Sequence, residues 1–447
     1  MSLTEKVPKA PQALPLVGHA WKLLRDPLGF LQSLPSYGNL VRIQLGPEPA
    51  IVVCDSELTR QLLVDDRTFD KGGLFIERGR EIVGDGLASC PHSRHRRQRR
   101  LVQPAFHHDR MPAYADVMTT FITDMIETWR DGQILDVPSV MHQLTMNVTC
   151  ATMFGTQLDA SSQAEMLEDL HILLTGMFTR TLLPAFLEKA PTRGNLRHER
   201  ARARLYETIG RIIEERRRDG IDGGDVLSTL LARPDDVDSP DGLSDVEIAN
   251  EVVTFFLAGT ETTANTLAWA LHHLAENPDI ESRLQAETSA VLAGRWPDLG
   301  DLPALQLTGR IITETLRIRP PLWLLTRIAT GDTELGGLRI PAGTTLIYSP
   351  YLIHHRSDVY PNPDQFDPDR WTDDETANKF RGSLIPFGGG ARKCIGDTFA
   401  ITQATLALAS ITARWHLEAV ENSRVRPVIR ATLGPGGLRM RCVARRV

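Results

Sequence analysis

The chain has 447 residues, enough to bury a large core, and its 42% hydrophobic and 24% charged residues are ordinary for a globular enzyme. A formal net charge of −6 excludes general nucleic-acid binding, which needs an overall basic surface. Five scattered cysteines (Cys54, Cys90, Cys150, Cys394, Cys442) form no CxxC pair, so neither a disulfide framework nor a zinc knuckle is expected, and a reducing, cytoplasmic compartment is.

The N-terminal stretch MSLTEKVPKAPQALPLVGHAWKLL lacks the long apolar run of a signal peptide or membrane anchor, and its prolines make residues 1–20 an extended arm. In LVRIQLGPEPAIVVCD, apolar residues alternate around Gly46-Pro47, which predicts a strand pair joined by a turn. From about 56 to 290 helical spacing dominates, with segments at 113–130, 162–180, 196–218 and 245–276. RPDDVDSPDGLSD (233–245) reads as an acidic loop whose DDVD (235–238) is solvated chain, and Ser244 is the expected N-cap of the helix that follows. Two short β segments are expected near 325–340 and 344–348 with IPAGT as the turn, then proline-rich irregular chain over 359–393 and a last helix over about 396–413. No repeat or flexible linker divides the chain. The expectation is one domain over 1–447, mainly α with a smaller β-rich portion.

Three stretches concentrate chemistry. In PFGGGARKCIGDTFA (386–400), Gly388, Gly389 and Gly390 let the backbone pass flat against something bulky. Arg392, Lys393 and the start of the next helix place positive charge beside Cys394 and favour its thiolate. Such a thiolate is either a nucleophile or a metal ligand. No Cys-His pair is visible in sequence, and the ligand reading needs the rest of the coordination from a group such as heme. In TETLRIRPP (313–321), Glu314 and Arg317 share one helix face, and their apolar neighbours argue for a buried pair. In NEVVTFFLAGTETTANTLAWALHHL (250–274), the polar run Gly259 to Thr263 interrupts an apolar helix, which is costly unless satisfied or used, and favours a local bulge.

Together these stretches resemble the cytochrome P450 family of heme-thiolate monooxygenases, over essentially the whole chain. Phe387, Gly390, Cys394 and Gly396 match the pattern FxxGxxxCxG, with Arg392 in its basic position; Glu314 and Arg317 match ExxR; AGTETT (258–263) matches the oxygen-activation motif. FDPDRW (366–371) matches the segment whose Arg370 joins the ExxR pair, and His95 and Arg99 in HRRQRRLVQPAF match HxxxR. The resemblance implies a triangular prism with a long central helix over heme b, Cys394 as axial ligand, and Phe387, Gly388, Gly396 and Ala258 against the heme. It implies that His95, Arg99, Arg327 and Arg392 meet the propionates, that Thr262 supports dioxygen, and that Glu261 relays protons from solvent. Electrons would come from a ferredoxin and its reductase, with the basic run His92 to Arg100, extended by Lys379, Arg381 and Lys393, as a docking patch.

The segments expected to line the pocket are apolar: Phe255 and Ala258, then Leu324 and Leu325, then Leu433, with Phe256 and Trp323 read as core. LWLLTRIATGDTELGGLRIPAGTTLIYSPY is similar to bacterial enzymes of the pentalenene-oxygenase kind, which oxidise sesquiterpene hydrocarbons in antibiotic biosynthesis. The resemblance thus implies hydroxylation of a sesquiterpene, in one step or several. The competing readings are another apolar substrate (fatty acid, steroid, macrolide), a heme-thiolate isomerase or peroxygenase, and a non-catalytic heme-thiolate sensor or carrier.

Overall fold

The structure is a computed structural model that describes residues 7–155, 160–182, 190–220, 223–232, 242–372, 380, 382–420 and 424–445. Most of the acidic loop, with DDVD, and the side chains of Lys379 and Arg381 lie outside the described residues.

The long central helix spans Asp245–Glu276, and Ser244 caps it in a reciprocal box with Glu247. Helices at Met111–Glu127, Val137–Phe154, Ala160–Leu182, Arg193–Asp219 and Asp397–Arg414 fall where apolar residues recur every three to four positions. The central helix packs against Val137–Phe154, Asp397–Arg414 and the ExxR helix Gln306–Ile318. Gly259 permits the first of these crossings: a Cβ there would stand 2.8 Å from Thr149 Oγ1.

The expected bulge in the central helix is absent, and the helix runs unbroken through Gly259 to Thr263. Three of its hydroxyls bond back along the helix, whereas Thr260 Oγ1 is buried with no hydrogen-bond partner among the described residues. Thr254 donates to Asn250 O at 2.7 Å, Thr262 to Ala258 O at 2.8 Å and Thr266 to Thr262 O at 2.9 Å. Thr145, on Val137–Phe154, donates to Thr260 O at 2.7 Å.

The predicted strand pair, Leu40–Leu45 and Glu48–Val53, opens a five-stranded sheet continued by Thr345–Tyr348, Leu325–Ala329 and Phe69–Asp70. Thr333–Leu335 pairs with Leu338–Ile340 in a hairpin inside the β segment expected near 325–340. Two further pieces of sheet were not expected: Trp415–Ala419, Arg439–Ala444 and Ile134–Asp136 form one, and Arg426–Ile429 with Leu433–Gly436 forms a hairpin. Apolar side chains gather into a large cluster among the helices and a smaller one around the five-stranded sheet. The cavity described next takes wall residues from both. No helix among the described residues is long and apolar enough to cross a membrane.

Candidate active site

A cavity of about 270 Å³, partly open to solvent, lies between the central helix and the Cys394 loop. Thr262, Ala258 and Phe255 line it from the helix, and Cys394, Phe387, Gly388 and Gly396 line it from the loop. Leu325 also reaches it, as does Phe106, which sequence reasoning missed and which meets Phe255 edge to face at 5.2 Å. Leu324 and Leu433, expected on the wall, are buried in the sheet-side core instead. Leu433 is held there by its backbone, which donates to Pro321 O and accepts from the Trp269 indole at 3.2 Å. Phe256 and Trp323 are core, as read.

The loop's glycines answer to two different neighbours. Gly390 has φ +64°, and a Cβ there would sit 2.3 Å from the carbonyl oxygen of Leu63, so the loop is pressed against the Ser56–Val64 helix. Gly389 also faces Leu63. Gly388, φ +70°, alone of the three lines the cavity. The expectation that all three lie flat against a ligand is thus corrected to one.

Cys394 opens onto the cavity, while the other four cysteines are buried. Its thiol is not shifted toward thiolate as expected. Although its sulfur opens onto the cavity, the surrounding loop and cavity wall keep water from it and raise its pKa, Asp397 adds to that, and the Gly396 N–H, Arg99 and Lys393 only partly offset it. Of the cations expected beside it, Lys393 pairs with Asp397; Arg99 stands near as well and donates to the carbonyls of Ala391 and Lys393 at 3.1 and 2.7 Å. Arg392, expected to face a propionate, donates to Asp66 at 2.9 Å and Asp70 at 2.8 Å. A thiol in this setting ionises when a metal takes the proton's place.

At one side of the cavity stands a cluster of basic groups. Lys71, His95, Arg99 and Arg392 line the wall. Arg327 is 1% exposed, and its Nε and Nη1 are buried with no hydrogen-bond partner among the described residues. Burial, then Arg327 and Arg392, push the Lys71 ammonium down to about 7, although its side chain faces the cavity. Burial, then Arg392 and Arg99, push His95 down to about 3. Orphaned guanidinium donors beside a crowded ammonium are what two carboxylates would satisfy. This cluster and the Cys394 sulfur fit a heme. Lys71 was invisible in sequence because a lone lysine in DKGG carries no pattern.

The sign of the Lys71 shift gives a pH test. Its folded pKa is below its ordinary one, so the unfolded chain binds more protons between about 7 and 10.5, and stability without ligand rises with pH over that window. Urea denaturation of heme-free protein should therefore show a higher midpoint at pH 9 than at pH 7. Lys71→Met should remove much of that gain, and the heme-bound protein should lack it. A Lys71→Met slope equal to wild type would refute this account of the cluster.

The ExxR pair is buried and fully engaged. Arg317 Nε and Nη2 donate to the two oxygens of Glu314 at 2.9 and 2.8 Å, both side chains being 0% exposed. Arg370 reaches Glu314 only at 3.5 Å, whereas the Trp371 indole donates to it at 2.9 Å and the Asp367 N–H at 3.1 Å. Of the basic run, His95 and Gln98 turn inward, Arg97 meets Glu247, and Arg94 meets Asp85. Arg96, Arg99 and Arg100, with Arg110, border a surface depression that reaches Ala391 of the Cys394 loop.

Comparison with known proteins agrees with this geometry. The Cytochrome P450 family profile matches residues 8–438. Cyclooctat-9-en-7-ol 5-monooxygenase of Streptomyces melanosporofaciens is 44% identical over 437 residues, covering 98% of this chain and 95% of that protein. Pentalenene oxygenase of Streptomyces avermitilis is 43% identical over 439 residues, covering 98% and 97%. Cyclooctatin synthase of Streptomyces melanosporofaciens is 44% identical over 433 residues, covering 96% and 94%.

Proposed function

Because the chain belongs to the cytochrome P450 family, we propose that it is the monooxygenase of a terpene, taken as a hydrocarbon or an already hydroxylated derivative in secondary metabolism. Family membership makes it a monooxygenase with a heme-iron cofactor that uses dioxygen and redox partners on a hydrophobic substrate. The observation that carries the site assignment is the Cys394 sulfur opening onto an apolar cavity opposite Thr262, with cations gathered on one side.

In this reading the cofactor is heme b, noncovalently held, since no CxxC pair exists to attach it. Bound heme supplies the iron at which dioxygen is activated, and a thiolate ligand lends it electron density that favours O–O cleavage. Cys394 is that ligand, Lys71, His95, Arg99 and Arg327 hold the propionates, and Arg392 supports them from Asp66 and Asp70. Thr262 spends its hydroxyl hydrogen on Ala258 O and so presents an acceptor to the cavity. The apolar wall from Phe255, Ala258 and Leu325 excludes water from the reacting carbon. The whole chain is read as one domain, and its four buried cysteines suit a reducing cytoplasm. The basic surface beside Ala391 is assigned to an acidic ferredoxin served by its reductase.

The substrate class rests on the relatives. Two similar proteins at 44% and 43% identity are named for an alcohol and for a hydrocarbon, so identity supports a terpene without choosing between those two kinds. A spin-shift screen of sesquiterpenes and larger terpenes against fatty acids, steroids and macrolides tests this, with a bacterial ferredoxin and reductase as donors. A terpene should shift the spectrum and be hydroxylated at a rate that falls as salt rises. A shift only by the other classes would overturn the substrate, and a salt-independent rate would overturn the docking surface.

A further inference from the structure

Glu261 and Thr262 are neighbours in sequence, yet only Thr262 lines the cavity. The Glu261 carboxylate is held on another face of the central helix. Its Oε2 meets His142 Nε2 at 2.8 Å, and its Oε1 accepts from Thr432 Oγ1 at 2.8 Å and Asn265 Nδ2 at 3.4 Å. Asn265 Nδ2 also donates to Thr432 Oγ1 at 3.2 Å. One carboxylate thus joins the Val137–Phe154 helix, the central helix and the turn before Leu433–Gly436.

The ring of His142 is constrained at both nitrogens. Nδ1 lies 2.7 Å from the carbonyl oxygen of Pro138, which can only accept, so Nδ1 carries a hydrogen. Nε2 faces a carboxylate already holding two other donors. Both nitrogens therefore donate, and the pair is an imidazolium against a carboxylate. Burial disfavours the charge on His142, but the hydrogen bond and charge of Glu261 outweigh it and hold its pKa above the ordinary value. Burial likewise works against the Glu261 charge, which His142, Thr432 and Asn265 together hold below the usual carboxylate range. Two other groups bear on the pair. Arg430, from the same turn as Thr432, disfavours the imidazolium, and its Nη1 lies 3.2 Å from Nδ1 of His171 on Ala160–Leu182. The His142 side chain is 21% exposed and that of Glu261 12%, so the imidazole is the more open of the two.

We propose that His142 is the positioning residue of the proton path, holding Glu261 off the cavity as an ion pair and passing it the protons it takes from solvent. The proton moves from His142 Nε2 to Glu261 Oε2, which leaves a neutral imidazole, its Nδ1–H still on Pro138 O, beside a neutral carboxylic acid. The acid can then swing toward Thr262 without separating charges; once it has given up its proton it returns as a carboxylate, and the vacated Nε2 takes the next proton from hydronium or a buffer acid in the solvent. The use of the proton rests on the monooxygenase reading; the existence of the ion pair does not.

The test has two arms, both on the full-length heme-bound protein. In the ferrous, carbon-monoxide-bound form with ring-labelled histidine, the resonance lost in His142→Gln should titrate above the ordinary histidine range and move down in Glu261→Gln. In turnover with any compound that shifts the spin state, His142→Gln keeps a donor to Glu261 but carries no proton, so the share of electrons lost to peroxide should rise about tenfold, below the roughly 10²–10⁴-fold of a group acting directly on the reacting atoms. The pH dependence of coupling should flatten with it. Wild-type coupling at every pH in His142→Gln overturns the proposal, as does a His142 resonance indifferent to Glu261→Gln. If His142→Gln fails to hold heme, other single-histidine variants assign the resonance and the Glu261→Gln titration decides. A wrong substrate class would leave the titration arm untouched.

Discussion

Glu314→Ala is expected to destabilise the heme-bound protein by about 3–5 kcal/mol, the usual cost of stripping one partner from a buried ion pair. Arg317 has no route to solvent at 0% exposure, and its remaining bonds, to the carbonyls of His354, Pro363 and Gln365, are to neutral oxygens. The same substitution strands the Trp371 indole and the Asp367 N–H. The damage reaches the cavity through a short chain of contacts. The guanidinium donates to His354 O, His354 Nδ1 donates to the backbone carbonyl of Arg317, and its Nε2 accepts from the N–H of Ile385, next to Pro386 and Phe387 on the cavity wall. Urea denaturation followed by heme release measures this. Glu314→Met/Arg317→Met should recover part of the loss, because it removes both charges together but leaves the two other donors unmatched. A cost below about 1 kcal/mol for Glu314→Ala would place the pair among exposed ones and contradict the role given to it.

The central helix was legible to its ends because its signals are local: apolar spacing, and a Ser244-to-Glu247 cap within four residues. The C-terminal strands were not. Leu433–Gly436 contains two glycines and a proline, and Arg439–Ala444 finds its outer partner in Ile134–Asp136, some three hundred residues earlier. The candidate site divides the same way. Cys394, Thr262 and the ExxR pair announce themselves by spacing, but what their neighbours do is set across the fold. Arg392 read as a propionate ligand because Asp66 and Asp70 lie 326 and 322 residues away. Glu261 read as a lone relay because His142 is 119 residues distant on another helix. The mistaken direction for the Cys394 thiol has the same origin: sequence shows the cations beside it but not the burial that outweighs them, nor the partners that occupy them.

Cys394→Ser is expected to abolish oxidation altogether, the largest effect of any substitution considered. No substitute sulfur stands ready among the described residues: Cys54 and Cys90 are buried, with burial pushing their thiols up to about 12 and about 11. Serine fills the same space, so the loop, pressed by Gly390 against Leu63, should keep its shape while the ligand changes from sulfur to oxygen. The absorption spectrum of the reduced, carbon-monoxide-bound protein tests this most directly. Wild type should show the signature of thiolate-ligated heme, and Cys394→Ser should bind heme without it. A thiolate signature retained in Cys394→Ser, or none in the wild type, would contradict the assignment of Cys394 as the residue that would ligate the heme iron.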